Sequence, residues 1–163
     1  MLSRTVILCA VFAALAACDK RAPQQAGQPK CPGEFKAETW TNCFGVLKRD
    51  SGFTFAAEFR NGKPNGQGTV TGGGGTYVGQ LRDGTPDGQG TMTWSGGGGS
   101  NNLNYVGEWK DGEMHGQGTR SWPGGKHVGA FKNGKENGPG TEYGADGKVV
   151  RSGNWENGEY RGQ

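Results

Sequence analysis

Residues 105–119 read YVGEWKDGEMHGQGT, Tyr105 to Thr119. At the centre of this stretch Asp111-Gly112 tolerates the positive φ angles of a tight hairpin turn. With a strand period of two, Tyr105, Gly107 and Trp109 fall on one face, and Val106 and Glu108 on the other. The returning segment places Gly116, Gly118 and Trp122 on one face in the same way. A glycine beside a large ring leaves open space above a sheet, and a neighbouring aromatic side chain lies over it. The stretch therefore predicts a β-hairpin that packs rings on glycines.

The pattern recurs along the chain. FAAEFRNGKPNGQGT starts at Phe55, YVGQLRDGTPDGQGT at Tyr77, HVGAFKNGKENGPGT at His127 and RSGNWENGEYRGQ at Arg151. The starts lie 22, 28, 22 and 24 residues apart, a period that marks a repeat architecture. Each copy carries its own turn pair: Asn61-Gly62, Asp83-Gly84, Asp111-Gly112, Asn133-Gly134 and Asn157-Gly158. A half-copy, Asn42-Cys43-Phe44-Gly45, precedes the first, and the last is truncated at Gln163. The expectation is an all-β chain of stacked hairpins. Ten strands at ~4.8 Å each would extend roughly 45 Å.

Composition agrees with this reading. Of 163 residues 34 are glycine, about threefold above the usual ~7% share. Leu, Ile, Val and Phe together number only 23, below the ~20% at which an aliphatic core becomes doubtful, which excludes a Rossmann domain or a helical bundle. Sixteen aromatic residues and a net charge of +3 argue against a merely solvated coil. Lys and Arg are scattered singly among Asp and Glu, so no nucleic-acid partner is expected.

The pattern Y-V-G-E-W-x-D-G-x-x-H-G-x-G-T resembles the MORN repeat over about residues 42 to 163. The resemblance implies an elongated, twisted, single-layer antiparallel sheet of stacked hairpins with an aromatic-lined groove, and it implies membrane association and protein interaction. The rings expected along that groove are Tyr77, Trp94, Tyr105, Trp109, Trp122, Phe131 and Trp155, with stacking on their own sheet as the competing role. Several copies depart from the pattern. Ala57 replaces the first glycine of copy one, Leu81 replaces the aromatic of copy two, and His127 and Arg151 stand where Tyr or Phe is expected. The stretch from Ser95 to Asn104, SGGGGSNNLN, is expected to form a flexible loop.

The first residues belong to a different kind of segment. After Arg4 an uncharged run extends from Thr5 to Ala17, too short for a comfortable permanent span, and residues 1–17 read as a secretory signal peptide. The run closes on Leu15-Ala16-Ala17-Cys18, which resembles the lipobox of bacterial lipoprotein precursors. That resemblance implies acylation of Cys18 and a stable lipid anchor, since two or more chains are needed to hold a protein at a bilayer. Asp19 in this position resembles a retention signal for the inner membrane. Residues 18–30 are then a lipidated cysteine with a polar tether.

With Cys9 in the signal and Cys18 under lipid, Cys31 and Cys43 remain as a pair in a compartment that permits disulfides. Two cysteines with no nearby histidine are too few ligands for a closed zinc site. Residues 31–54 are thus expected to be a disulfide-bridged N-terminal cap with the half-repeat, and residues 55–163 the repeats, about five with the last truncated.

No motif points to catalysis. Gly129 to Glu136 almost fits a phosphate-binding loop, but Glu136 stands where a magnesium-binding hydroxyl is needed, and the two glycines belong to a strand and a hairpin tip. His115 and His127 both occupy repeat positions, and no nucleophile is marked beside either. Glu58 and Glu108 recur at one repeat position, as members of a solvated face. The sequence is read as a non-enzymatic lipoprotein of the bacterial cell envelope, anchored in the membrane and facing the periplasm. It is expected to act as a protein-interaction or scaffold module without metal or cofactor. The alternatives are direct binding of phospholipid headgroups at a membrane surface, and an envelope hydrolase or the regulatory subunit of an enzyme.

Overall fold

The computed structural model describes residues 28–95 and 102–163. The signal segment 1–17, Cys18, Asp19, the tether as far as Gly27 and the glycine-rich residues 96–101 lie outside the described residues. The strands are β1 (Cys43–Lys48), β2 (Thr54–Arg60), β3 (Lys63–Gly72), β4 (Gly75–Arg82), β5 (Thr85–Ser95), β6 (Asn102–Lys110), β7 (Glu113–Trp122), β8 (Gly125–Lys132), β9 (Lys135–Gly144), β10 (Val149–Glu156) and β11 (Glu159–Gly162). They form one sheet in chain order, each strand antiparallel to the next. The all-β sheet of consecutive hairpins is therefore as expected, with the half-copy supplying β1 as an extra strand.

The hairpin tips fall at the five Asn-Gly and Asp-Gly pairs. Asn61, Asp83, Asp111, Asn133 and Asn157 have φ between 50° and 52°, and the glycine after each also has positive φ. Two consecutive positive φ values define the turn whose twist matches that of the flanking strands. Every tip after the first also leans on the hairpin before it. The amide of Gly84 donates to the Pro64 carbonyl at 2.8 Å, Gly112 to Pro86 at 2.9 Å, Gly134 to Met114 at 3.0 Å and Gly158 to Glu136 at 2.9 Å. The first tip has no earlier repeat, and the Gly62 amide instead donates to the carbonyl of Trp40 at 2.8 Å.

The two glycines of each G-x-G segment do different work. The second, such as Gly118, faces Gly107 and leaves room for a ring. The first, such as Gly116 with φ +55°, sits at a bulge where the pairing of β6 with β7 jumps from Gly107↔Gly118 to Glu108↔His115. A bulge bends its strand and increases the local twist. The equivalent shift occurs in β2–β3, β4–β5, β8–β9 and β10–β11. Each hairpin thus consists of a base limb and a tip limb, and the tip limb folds toward the ring face.

The outer face carries a row of cross-strand neighbours: Val46, Ala56, Thr69, Val78, Thr91, Val106, Thr119, Val128, Thr141 and Ser152. Valine and threonine suit a pleated, half-covered surface, and Val46 and Val106 remain exposed.

The connection after β5 is shorter than the loop expected over Ser95 to Asn104. Ser95 closes β5, and Asn102 to Asn104 belong to β6, paired Ser95↔Asn102, Trp94↔Leu103 and Thr93↔Asn104. Leu103 stands opposite Trp94, an apolar pair that favours extending the hairpin. At the other end, Pro29 to Cys31 lie along β1. The Cys31 amide donates to Phe44 O at 2.9 Å, and the Phe44 amide to Pro29 O at 2.8 Å. Cys31 and Cys43 are joined by a disulfide. The Trp40 ring covers Gly45 and donates through Nε1 to Pro32 O at 3.0 Å, closing the N-terminal edge.

Candidate functional site

The ring face is organised as a zigzag column. The third and fourth copies each contribute a base ring and a tip ring, and there the tip ring stands edge to face between two base rings. Trp109 meets Tyr77 at 5.4 Å and Tyr105 at 5.2 Å between centroids. Phe131 meets Tyr105 at 5.0 Å and His127 at 5.4 Å. Trp155 meets His127 at 4.7 Å and Tyr160 at 5.4 Å. At the N-terminal end Phe59 packs on Trp40 at 4.9 Å. The edge of one ring is positive and the face of the next negative, so near-perpendicular contacts are favourable in series.

Glycine makes the column possible. A Cβ on Gly90 would strike the Tyr77 ring, and one on Gly118 the Tyr105 ring. The phenol groups lie flat enough to reach backbone: Tyr77 donates to Gln80 O at 2.8 Å, and the Tyr105 hydroxyl lies 3.0 Å from both Glu108 O and His115 O. Burial pushes the Tyr77 phenol above its ordinary range and the Tyr105 phenol up to about 12. Both are neutral donors at any physiological pH.

This geometry locates each of the seven expected groove rings. Tyr77, Tyr105, Trp109, Phe131 and Trp155 are buried within the column. Their ring contacts run along the column. Trp94 and Trp122 lie at the other end of the base limbs, near the links between hairpins, and both are only half-buried. Trp94 touches the column through Trp109 at 6.5 Å. Arg120 lies over Trp122 at 5.7 Å.

The departures from the repeat pattern sit inside the same column. Ala57 is fully buried against Gly68, and Leu81 is buried where a tip ring would stand. His127 occupies the base position between Phe131 and Trp155. Its imidazole is shorter than a phenol, and neither Nδ1 nor Nε2 has a partner among the described residues. Burial holds its pKa below the ordinary histidine range, against the pull of the Glu136 carboxylate. Arg151 closes the column as a cation, 5.2 Å above the Trp155 ring and 5.6 Å from that of Tyr160.

The base row is apolar in its first half, through Leu47, Phe55, Val70, Tyr77, Met92 and Tyr105, and polar in its second, through Arg120, His127, Glu142 and Arg151. Arg120 pairs with the buried Glu136, and Arg151 with Glu142 at 2.8 Å. Two cations face two carboxylates, so this end is neutral overall. Glu136, which breaks the near-match to a phosphate-binding loop, is thus a buried ion-pair partner.

Glu108 has a role that its repeat position alone did not disclose. On the outer face its Oε1 accepts the Gln117 amide at 2.9 Å, and Gln80 Oε1 accepts the Gln89 amide at 2.9 Å in the preceding copy. These side chains clamp the bulge from outside. Three shallow hollows of about 410, 350 and 330 Å³ lie beside the disulfide, beside Trp122 and between Phe55 and Tyr77 respectively. Among the described residues no group of three or more His, Cys, Asp or Glu is placed to hold a metal ion.

A solenoid of hairpins with a self-stacked ring column is a repeat protein. The MORN repeat matches residues 55–76, 77–99, 105–126 and 127–149, opening at Phe55, Tyr77, Tyr105 and His127. The chain belongs to the MORN-repeat family, whose repeats point to a membrane, phospholipid or protein binding module. No curated protein matches it. The fifth copy, beyond the matched residues, forms the β10–β11 hairpin.

Proposed function

We propose that this chain is a non-enzymatic interaction module, held at the bacterial cell envelope by lipid on Cys18 and facing the periplasm, where it binds a protein partner. The observation that carries the protein-binding reading is the division of the rings. Five are consumed by internal stacking, while the indoles of Trp94 and Trp122 keep accessible surface near the links between hairpins. Half-exposed tryptophans are the residue type most often found at the energetic centre of protein interfaces. The Leu15 to Cys18 motif supports the anchor. A disulfide between Cys31 and Cys43 supports an oxidising compartment.

A photo-activatable residue placed in living cells at Trp94, at Trp122 and, as a control, at the exposed tip residue Asn133 tests this reading. Adducts with one protein at the two tryptophan positions and none at Asn133 are expected. Failure of both tryptophan positions to capture protein overturns it, and capture of phospholipid alone moves the function to the membrane surface. Labelling with radioactive palmitate, lost on Cys18→Ser, checks the anchor separately.

A further inference from the structure

The ring column has one interruption. Copy two carries Leu81 where the other copies carry Phe59, Trp109, Phe131 and Trp155. Between Tyr77 and Tyr105 the Trp109 indole fills the space and touches both. Between Phe55 and Tyr77 no tip ring stands. Leu81 packs toward Gly68 and is not part of the wall of the 330 Å³ cavity that opens there. Phe53, Phe55, Val70, Tyr77, Pro86 and Met92 line it, with Gly75 from a base limb and Gly84 from a hairpin tip. The Tyr77 hydroxyl, the one polar group on those six side chains, is engaged by Gln80 O.

A cation without an ion-pair partner among the described residues stands at the mouth. The Arg49 guanidinium lies 4.8 Å over the Phe55 ring, and its Nη2 is 3.9 Å from where a Cβ on Gly84 would be. Phe55 and Gly84 both belong to the cavity wall. Arg49 makes no ion pair among the described residues, whereas Asp87, the carboxylate that acts on Tyr77, is held by Arg82 at 2.7 Å. The cavity is therefore apolar within and carries a free fork of donors at its rim, matched to a carboxylate.

We infer that this cavity binds a single aliphatic chain ending in a carboxylate. At roughly 30 Å³ for a group the size of a water, the hollow has room for at most about ten carbons, with one side open to solvent. The apolar wall takes the chain, and Arg49 takes the anionic end from the solvent side. The site stands independently of the anchor on Cys18 and of any protein partner.

Met92 provides the probe, being one of three methionines, with Met1 and Met114. In the full chain, with methyl-labelled methionine, titration with decanoate is expected to shift the Met92 signal saturably and leave Met114 in place. Leu81→Trp fills the cavity as Trp109 fills the next one, and is expected to weaken decanoate binding by at least about tenfold while the chain still melts cooperatively. Arg49→Gln, a surface change, is expected to weaken decanoate by about tenfold and leave decanol unchanged. No saturable shift of Met92, undiminished binding in Leu81→Trp, equal weakening of both probes in Arg49→Gln, or a preference for 3-phenylpropionate over decanoate would each overturn the proposal.

Discussion

Tyr105 and Trp109 stand edge to face within one hairpin, their centroids 5.2 Å apart and their planes at 88°. The same indole reaches back to Tyr77 of the preceding hairpin and donates through Nε1 to Gly90 O at 3.2 Å. One side chain therefore joins two repeats. Trp109→Ala is expected to lower stability by ~3 kcal/mol, read as a fall in the denaturation midpoint, because the vacated space has no side chain to collapse into it. An unchanged midpoint would contradict the buried position.

Replacing His127 by tyrosine is expected to stabilise the chain by about 1 kcal/mol. Gly129 and Gly140 leave the same space that Gly107 and Gly118 leave for Tyr105. The added hydroxyl would reach Ala130 O as Tyr77 reaches Gln80 O. Chemical denaturation of the two chains side by side checks this.

His127 also sets a pH dependence with a definite sign. Burial depresses its folded pKa below the ordinary histidine value of about 6.5 expected for the unfolded chain. The unfolded state then binds the proton first. The stability that depends on neutral His127 is complete above about pH 6.5 and declines as the pH falls through the folded value. Denaturation midpoints of the native chain measured from about pH 7 to about pH 5 should fall more steeply than those of His127→Tyr. Parallel profiles would count against a buried neutral imidazole.

Glu108→Ala is expected to cost about 1–2 kcal/mol by leaving the Gln117 amide without its acceptor. Glu108→Gln should be close to neutral, since Gln80 makes the same bond to Gln89 in the copy before. If the two substitutions behave alike in thermal denaturation, the clamp is not what holds the bulge.

Reduction of Cys31–Cys43 is expected to destabilise the chain by roughly 3 kcal/mol, on a loop of 12 residues' separation. The loss should be local, because each repeat contacts only its neighbours. Hydrogen exchange should accelerate at Cys31 and Phe44 and stay unchanged in the β8–β9 hairpin. Uniform acceleration along the sheet would refute that locality.

The turns were legible because Asn-Gly and Asp-Gly encode positive φ within two adjacent residues, with no help from distant parts of the chain. The pairing of rings with glycines was legible for a related reason, since Tyr105 and Gly107 share a face by strand period alone. The bulges were not. Gly116 and Gly118 look equivalent in the sequence, and only the register against Glu108 and His115 separates a backbone role from a space-making one. The folding-over of the tip limb follows from that bulge, so strand alternation could place Tyr105 and Trp109 on one face without disclosing that both would be enclosed. The extension of β6 back to Asn102 is not legible in the sequence because Asn-Asn-Leu-Asn carries little strand propensity, and it is the Trp94 opposite Leu103 that draws it in.

The hydrogen bond from each tip glycine to the strand behind it gives the molecule a direction. Gly84 needs Pro64, Gly112 needs Pro86, Gly134 needs Met114 and Gly158 needs Glu136, while Gly62 finds its acceptor in Trp40. A chain emerging amino end first, from a ribosome or through a translocation pore, always presents the acceptor before the donor. Assembly is therefore expected to run like laid courses of brick, each hairpin settling on one already in place, with the disulfide-braced turn around Trp40 as the foundation.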